Sequence, residues 1–340
     1  MHAGIRLALV AGFLATAPVI SASAQDSRSN MKWDDVVAAA KKEGRVVVYN
    51  AGQTIGLFNE VAKSFEAKYG IKVEQITARG SEMTERIRTE HAAGRYLGDL
   101  QLHAGSVVET VLDQVQAPGN LPNLKNLRKD VSTNPLLVPA YIQPTGILIN
   151  TNLVKPQDEP KSWRDLLDPK WKGRILADDP RPIGGGNNWF TVMYKAFGPQ
   201  FHDSFKAQNP VFSRNPSDDA RRIARGEYLV YTPQVFALAR ELQGLPVKLL
   251  VPQEGIPYGL FVNAVQKNAP RPNAADVFLN HFLELDSQVI YANGWMIPVV
   301  DGAVEKADAQ AKQFAGAKLL GTPIVQERAI MAERAKQIYD

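Results

Sequence analysis

Apolar residues recur four apart at Leu57, Val61, Phe65 and Tyr69, the spacing of one helical face. The run RVVVYN just before them, at 45–50, has the near-continuous apolar pattern of a buried strand. The alternation extends in both directions. WDDVVAAAKKE (33–43) predicts a helix ended by Gly44, and Gly70 ends the helix over Ile55–Tyr69. IKVEQIT predicts a second strand and Ser81 to Ala93 a second helix of the alternating set. LGDLQLH predicts a third strand, and Ser106 to Val115 the helix that follows it. Strands and helices alternating at this spacing imply βαβ units around a parallel sheet.

After a Pro-, Asn- and Leu-rich connection at 117–139 the pattern changes. AYIQPTGILINTNLV is an extended apolar run, long enough to pass between two domains. SWRDLLDPKWKGRILADD reads as a short helix and a strand, NWFTVMYKAF as a helix, and GEYLVYTPQVFALAREL as strand, loop and helix. VKLLVPQEGIPYGLFVNAVQ adds two extended runs. NAADVFLNHFLELDSQVIYANG is helical with a break near Asp286, and the tail from Ala303 to Tyr339 is mostly helical. A chain of 340 residues exceeds one comfortable core, so two domains are expected.

In such sheets ligands sit outside the carboxyl ends of the strands. The loops there are 51-AGQT-54, 78-ARGS-81 and 103-HAGS-106, which contribute Gln53, Thr54, Arg79, Gly80, Ser81 and His103. Each loop opens a helix, whose free N–H groups and positive dipole end suit an anion or polar ligand. The plain alternative makes Thr54, Ser81 and Ser106 simple N-caps. A further candidate is 182-PIGGGNNWF-190, where three glycines precede a helix. They either let backbone N–H groups approach a ligand unobstructed or belong to an ordinary loop.

Composition narrows the function. Residues 1–24 combine Arg6, a short apolar core and Ala22-Ser23-Ala24 before Gln25, the order of a cleaved signal peptide. The apolar core is too short for a membrane anchor. There is no cysteine, which excludes disulfides, thiol catalysis, thiolate metal sites and a lipidated N-terminal cysteine. Loss of Arg6 with the leader takes the formal charge from +4 to +3, and no basic block suggests nucleic acid. An exported, untethered protein points to the bacterial periplasm. The histidines are scattered, and metalloprotease, nucleophile-elbow and phosphate-loop patterns are absent, so an enzyme is not expected.

VVVYNAGQ, YGIKVEQITARGSE, TGILINTNLV, SWRDLLDPKWKGRILADDP, GEYLVYTP and PNAADVFLNHFLELDSQVIYANGWMIPV occur in this order. The set resembles the periplasmic solute-binding proteins of ATP-driven (ABC) importers, the extracellular solute-binding family that includes the ferric-ion binders. The resemblance covers nearly all of 40–300. It implies a two-lobed α/β fold of type II, each lobe a mixed, mostly parallel sheet flanked by helices, with the ligand in the cleft between them. Mapped here, one lobe holds 32–140 plus 260–298 and the other 150–252 plus 300–340, with crossing strands near 141–150 and 255–263. The implied partners are a small solute and an inner-membrane permease, and a monomer with no cofactor is expected. A ligand sensor for a membrane receptor would share the fold.

The family's ferric binders use two adjacent tyrosines in the second lobe, with a histidine and a glutamate from the first. Here Tyr228 and Tyr231 are not adjacent, AGQT offers no histidine, and His103 has no carboxylate beside it. No metal is therefore expected, and the ligand is expected to be an organic or phosphorylated anion. Arg79 and Arg181, in facing loops, are expected to clamp its acidic group, since guanidinium forks bind carboxylate and phosphate bidentately. Thr145, Asp178, Gly186, Asn187, Asn188, Tyr231 and Gln234 complete the expected site, with Trp295 against an apolar part. The plain alternatives pair Arg181 with Asp178 or Asp179 and place Trp295 in the core.

Overall fold

The structure is a computed structural model that describes residue 28 and residues 30–52, 54–131 and 134–340. The expected leader at 1–24 and the candidate Gln53 lie outside the described residues. The first half runs α1 (Trp33–Glu43), β1 (Arg45–Asn50), α2 (Ile55–Tyr69), β2 (Lys72–Thr77), α3 (Gly80–Ala92) and β3 (Leu100–Ala104). Helix α2 buries Leu57, Phe58, Val61 and Phe65, and its end is set by Gly70 at φ 71°. There the left-handed conformation costs glycine nothing. Strand β1 lies parallel between β2 and β3, with Val48 opposite both Gln75 and Leu100. The helix expected after β3 is a single turn, α4 (Gly105–Val108), that tightens into 3₁₀ geometry over Glu109–Gln114.

The short β4 (Val115–Gln116) leads to β5 (Val138–Asn150), buried along its whole length. The second half then follows: β6 (Ile175–Asp178), α5 (Gly185–Phe197), α6 (Pro199–Lys206), β7 (Val211–Ser213), α7 (Pro216–Ala224), β8 (Val230–Val235), α8 (Phe236–Arg240) and β9 (Val247–Leu250). The chain returns through β10 (Ile256–Gln266), α9 (Pro272–Phe282), α10 (Leu285–Asn293) and β11 (Ile297–Pro298). It ends with α11 (Ala303–Lys306), α12 (Ala309–Ala315), β12 (Leu319–Gly321) and α13 (Val325–Tyr339).

Two long strands join the halves. The first part of β5 pairs antiparallel with β10, Ile142 opposite Leu260, while its second part pairs with β8 and β9, Leu148 opposite Tyr231 and Leu249. Strand β10 in turn pairs with β3. The order β2-β1-β3-β10-β5-β8-β6-β7 is thus one ribbon of mixed sheet, with a lobe at each end and the crossing strands between.

The first lobe is built around Val46, Val48, Phe58, Phe65, Leu100 and Phe278. The second is built around Trp163, Trp189, Phe190, Phe201 and Phe205, all essentially without solvent contact. The tail does not join the second lobe as one piece, as the expectation had it. Helices α11 and α12 pack on α10, where Phe314 meets Trp295 at 4.7 Å. Helix α13 packs on α5 and α6, and β12 touches α5 as well. The buried Ala311 and Phe314 of α12 place it at the join of the lobes, Phe314 also meeting Phe236 of α8 at 5.1 Å.

Candidate functional site

The carboxyl ends of β1, β2 and β3 face the start of α5 and the loop after β7 across a cleft with two connected compartments of about 400 Å³ each. That size suits a small molecule. They share Ala51, Gly80, Ser81 and the loop Ile183–Gly185.

The outer compartment is lined by Arg79 from the first lobe and by Asp178, Asp179 and Arg214 from the second. Arg79 is exposed, and its Nη2 donates across the cleft to the Arg214 carbonyl at 3.1 Å. Asp178 closes β6, and the Gly186 N–H donates to its carboxylate. Burial, with the charges of Asp219 and Asp179 nearby, pushes the Asp178 carboxyl up to about 7.

The inner compartment is lined by His103, Gln143, Thr145, Asn188, Phe261 and Arg328. His103 accepts the Ala104 N–H on Nδ1 at 2.7 Å. Burial pushes it down to about 4, the Arg328 charge adding to the effect and the Gly80 backbone opposing it. The imidazole is therefore neutral, with its proton on Nε2. Gly80 is required here, because a Cβ would come within 2.6 Å of the His103 ring. Thr145 Oγ1 donates to the Pro257 carbonyl at 3.1 Å, and Asn188 Nδ2 to the Tyr258 carbonyl at 2.9 Å. Phe261 stacks on Tyr141 at 4.9 Å and forms part of the floor.

Arg328 is the buried charge of this compartment, whose other charged lining residues, Glu85 and Arg88, are exposed. It is 4% exposed and stands on α13, which packs on the second lobe. Its Nε donates to Ser106 Oγ at 2.8 Å, and its Nη2 donates to the same oxygen. Among the described residues no carboxylate pairs with it, and burial pushes its guanidinium down to about 10. A buried cation without a counter-charge is costly, so its place at a cleft is a chemical signal.

Of the residues expected from sequence, Arg79, Gly80, Ser81, His103, Thr145, Asp178 and Asn188 line the cleft. Others do not. Arg181 is turned away, its Nε held by Asp179 at 2.8 Å and its Nη1 by Asp340 at 2.9 Å, with its guanidinium over Phe212. The Arg79–Arg181 clamp is thus absent, because two carboxylates already satisfy Arg181. Thr54 is buried and donates to the Tyr141 hydroxyl at 3.2 Å. Asn187 is buried with Nδ2 on the Pro180 carbonyl. Tyr231 and Gln234 lie wholly buried behind the site.

The glycine run divides in the same way. A Cβ at Gly186 would meet the Asp179 carbonyl oxygen at 2.4 Å, so that glycine serves the packing of α5 on the β6 loop. Gly184 faces the cleft with only Pro182 oxygen at 4.0 Å. Of the plain alternative's three N-caps only Thr54 stands at the cap position of its helix, and it caps nothing with its side chain. The helices after the other two loops are preceded by Arg79 and Ala104, and Ser106 is engaged by Arg328. Trp295 is a core residue.

Sequence reasoning missed Arg328, Gln143 and Arg214. The first carried a signal. In α13 the buried positions are Arg328, Met331, Ala332, Ala335 and Tyr339, so an arginine occupies the apolar stripe. Gln143, too, interrupts the apolar run of β5.

Among the described residues no three His, Cys, Asp or Glu side chains are placed to hold a metal ion, and no helix is long and apolar enough to cross a membrane. Comparison with known proteins fits this geometry. The chain is 25% identical over 261 residues to the spermidine/putrescine-binding periplasmic protein of Escherichia coli K12, covering 69% of this chain and 73% of that one. Its fold matches the periplasmic binding protein AfuA of Actinobacillus pleuropneumoniae, solved with exogenous fructose-6-phosphate bound, at a TM-score of 0.72 and 22% identity over 87% of this chain and 99% of the other. It matches the apo ferric ion-binding protein A of Pasteurella haemolytica at a TM-score of 0.71 and 19% identity, over 87% and 96% of the two chains. The family profile described as bacterial extracellular solute-binding protein matches residues 107–318. The chain belongs to that family: it is a two-lobed solute-binding protein of the ABC-transporter type, with its binding cleft between the lobes.

Proposed function

We propose that this protein captures a small organic anion bearing a phosphate or carboxylate group in the periplasm and delivers it to an inner-membrane ABC permease. The observation that carries the reading is Arg328, a buried guanidinium open to the cleft with no carboxylate partner among the described residues. An anion in the inner compartment supplies the missing counter-charge, and the planar fork suits both acid groups. The crossing strands β5 and β10 are the natural hinge for closure around the solute. Export follows from the leader, with a mature N-terminus near Gln25.

The other ligand classes named by the similar proteins fit less well. A polyamine needs carboxylates where this compartment holds Arg328. A ferric ion needs anionic oxygen donors. The Tyr231 phenol is wholly buried, and burial together with the Asp178 and Asp219 charges raises it well above its ordinary value, so it stays protonated.

The test is a thermal-shift screen of the purified mature protein against sugar phosphates, hydroxy acids, phosphonates, spermidine and ferric citrate. A ligand at a hundred times its dissociation constant stabilises by about 2.7 kcal/mol. Stabilisation by anions and not by spermidine or ferric citrate is expected. The reverse pattern, or a visible tyrosinate-to-iron band with ferric citrate, refutes the reading. Growth that depends on the protein when the ligand is the sole nutrient separates import from sensing.

A further inference from the structure

The inner compartment holds more than a cation. Gln143 and Asn188 both line it, and their side-chain oxygens, Gln143 Oε1 and Asn188 Oδ1, are buried without a hydrogen-bond donor. Gln143 stands on β5 in the floor between the lobes and is 8% exposed. Asn188 comes from α5 of the second lobe. Its amide orientation is fixed, because Nδ2 is committed to the Tyr258 carbonyl, so Oδ1 is the atom left without a partner. Gly259, opposite Gln143 in the β5–β10 ladder, also lines the compartment. Buried acceptors left unpaired are expensive, and natural folds rarely keep them without a partner.

We infer that the solute is a polyhydroxylated anion, of the sugar-phosphate or sugar-acid class, whose acid group lies at Arg328 and whose hydroxyls donate to Asn188 Oδ1 and Gln143 Oε1. This rests on the anion reading above and adds the chemistry of the other end of the ligand. Hydroxyls fit better than an ammonium group. Both acceptors are neutral amide oxygens, and the carboxylate lining this compartment, Glu85, is exposed, so an ammonium would enter without a fixed counter-charge. Phe261 offers a ring to the C–H face of such a skeleton, and Tyr141 stacked behind holds that ring in place.

The experiment is calorimetric titration of the mature protein with matched pairs: glycerol 3-phosphate against propyl phosphate, glucose 6-phosphate against cyclohexylmethyl phosphate, and gluconate against hexanoate. Inorganic phosphate, 2-aminoethyl phosphate and sorbitol are run beside them. A site built to hydrogen-bond a hydroxyl rejects the analogue that lacks it, so at least one hydroxylated anion is expected to bind about 30-fold or more tighter than its match. Asn188→Leu is expected to reduce that ratio to about threefold or less, because the hydroxyl loses its acceptor. Gln143→Met is the second variant should Asn188→Leu not fold, since it removes an acceptor from a different element.

Equal binding of every pair overturns the hydroxyl inference and leaves the anion reading standing. Tightest binding of 2-aminoethyl phosphate overturns it in favour of an ammonium donor. Binding of sorbitol with no response to any anion sinks the anion reading while the acceptor pair keeps its role. Silence from every compound sinks both.

Discussion

Replacing Arg328 by methionine keeps most of its length and removes its charge, and the structure gives the two consequences opposite signs. The unliganded protein holds this guanidinium at 4% exposure with no carboxylate partner, pushed down to about 10 by burial. That depression corresponds to roughly 3 kcal/mol of unfavourable burial that the fold carries at neutral pH. Against it stand the bonds to Ser106, worth about 1–3 kcal/mol to a charged donor. Arg328→Met should therefore leave the empty protein as stable as wild type or up to about 2 kcal/mol more stable. The bound state behaves otherwise. Removing the cation strands the ligand's charge in a closed cleft, at a cost of about 2–5 kcal/mol, or roughly 30- to 5,000-fold in affinity. Arg328→Lys should restore part of it, since the charge returns without the fork. Thermal melts of the empty variants and calorimetric titration with the best anion from the screen read the two effects separately. Affinity within about threefold of wild type, together with a clear loss of stability, would show Arg328 to be a structural residue and refute the argument.

Three further outcomes follow from the same geometry. The folded-state Asp178 carboxyl is raised to about 7 against an ordinary 3.8, so the stability it contributes is full in acid and lost as pH rises toward and through 7. Asp178→Asn should then melt close to wild type near pH 4.5 and increasingly above it toward pH 8, and a pH-independent difference would contradict the assignment. Arg181→Ala should lower stability by about 1 kcal/mol, because its partly exposed ion pairs tie the β6 loop to Asp340. It should leave ligand affinity within about threefold, and a larger loss in titration would return Arg181 to the site. Gly186→Ala should destabilise by about 2 kcal/mol or more, its Cβ falling 2.4 Å from the Asp179 carbonyl oxygen. Gly184→Ala should melt as wild type does, and equal losses for the two would undo the division of the glycine run.

The first half of the fold was legible because its physics is local. Helices α1 and α2 have the bounds their apolar stripes and terminal glycines announce, and β1 is the run RVVVYN itself. Strand β8 and helix α8 follow one another directly, where a loop was expected, since Val235 passes straight from one into the other. Strand β7, only Val211 to Ser213, is too short to leave a pattern. At the site the loops could be named, but what each side chain meets could not. Arg181 reads either as a cleft arginine or as a partner of Asp178 or Asp179, and the fold joins it both to Asp179 and to Asp340, 159 positions away. Arg328 interrupts an apolar stripe, but only the fold sets it against Ser106, 222 positions away. Hydrophobic periodicity has no information about such pairings, because they depend on where the tail docks.

Docking of the tail also explains why the decisive charge comes from there. Helix α13 packs on α5 and α6 of the second lobe, yet Arg328 reaches Ser106 at the start of α4 in the first. The guanidinium is thus anchored by packing to one lobe and by hydrogen bonds to the other, and Arg79 makes a second cross-cleft bond to the Arg214 carbonyl. Without a ligand, the closed arrangement leaves Arg328 desolvated and uncompensated, which opposes closure. With an anion beside it the same desolvation would strengthen the attraction, since Arg328 is shielded from water and the charges would be close. The ligand then shifts the balance by its differential affinity for the closed state. A neutral solute of the same shape would forgo that term, so on the proposed anion reading Arg328 would tie selectivity for charge to closure of the lobes.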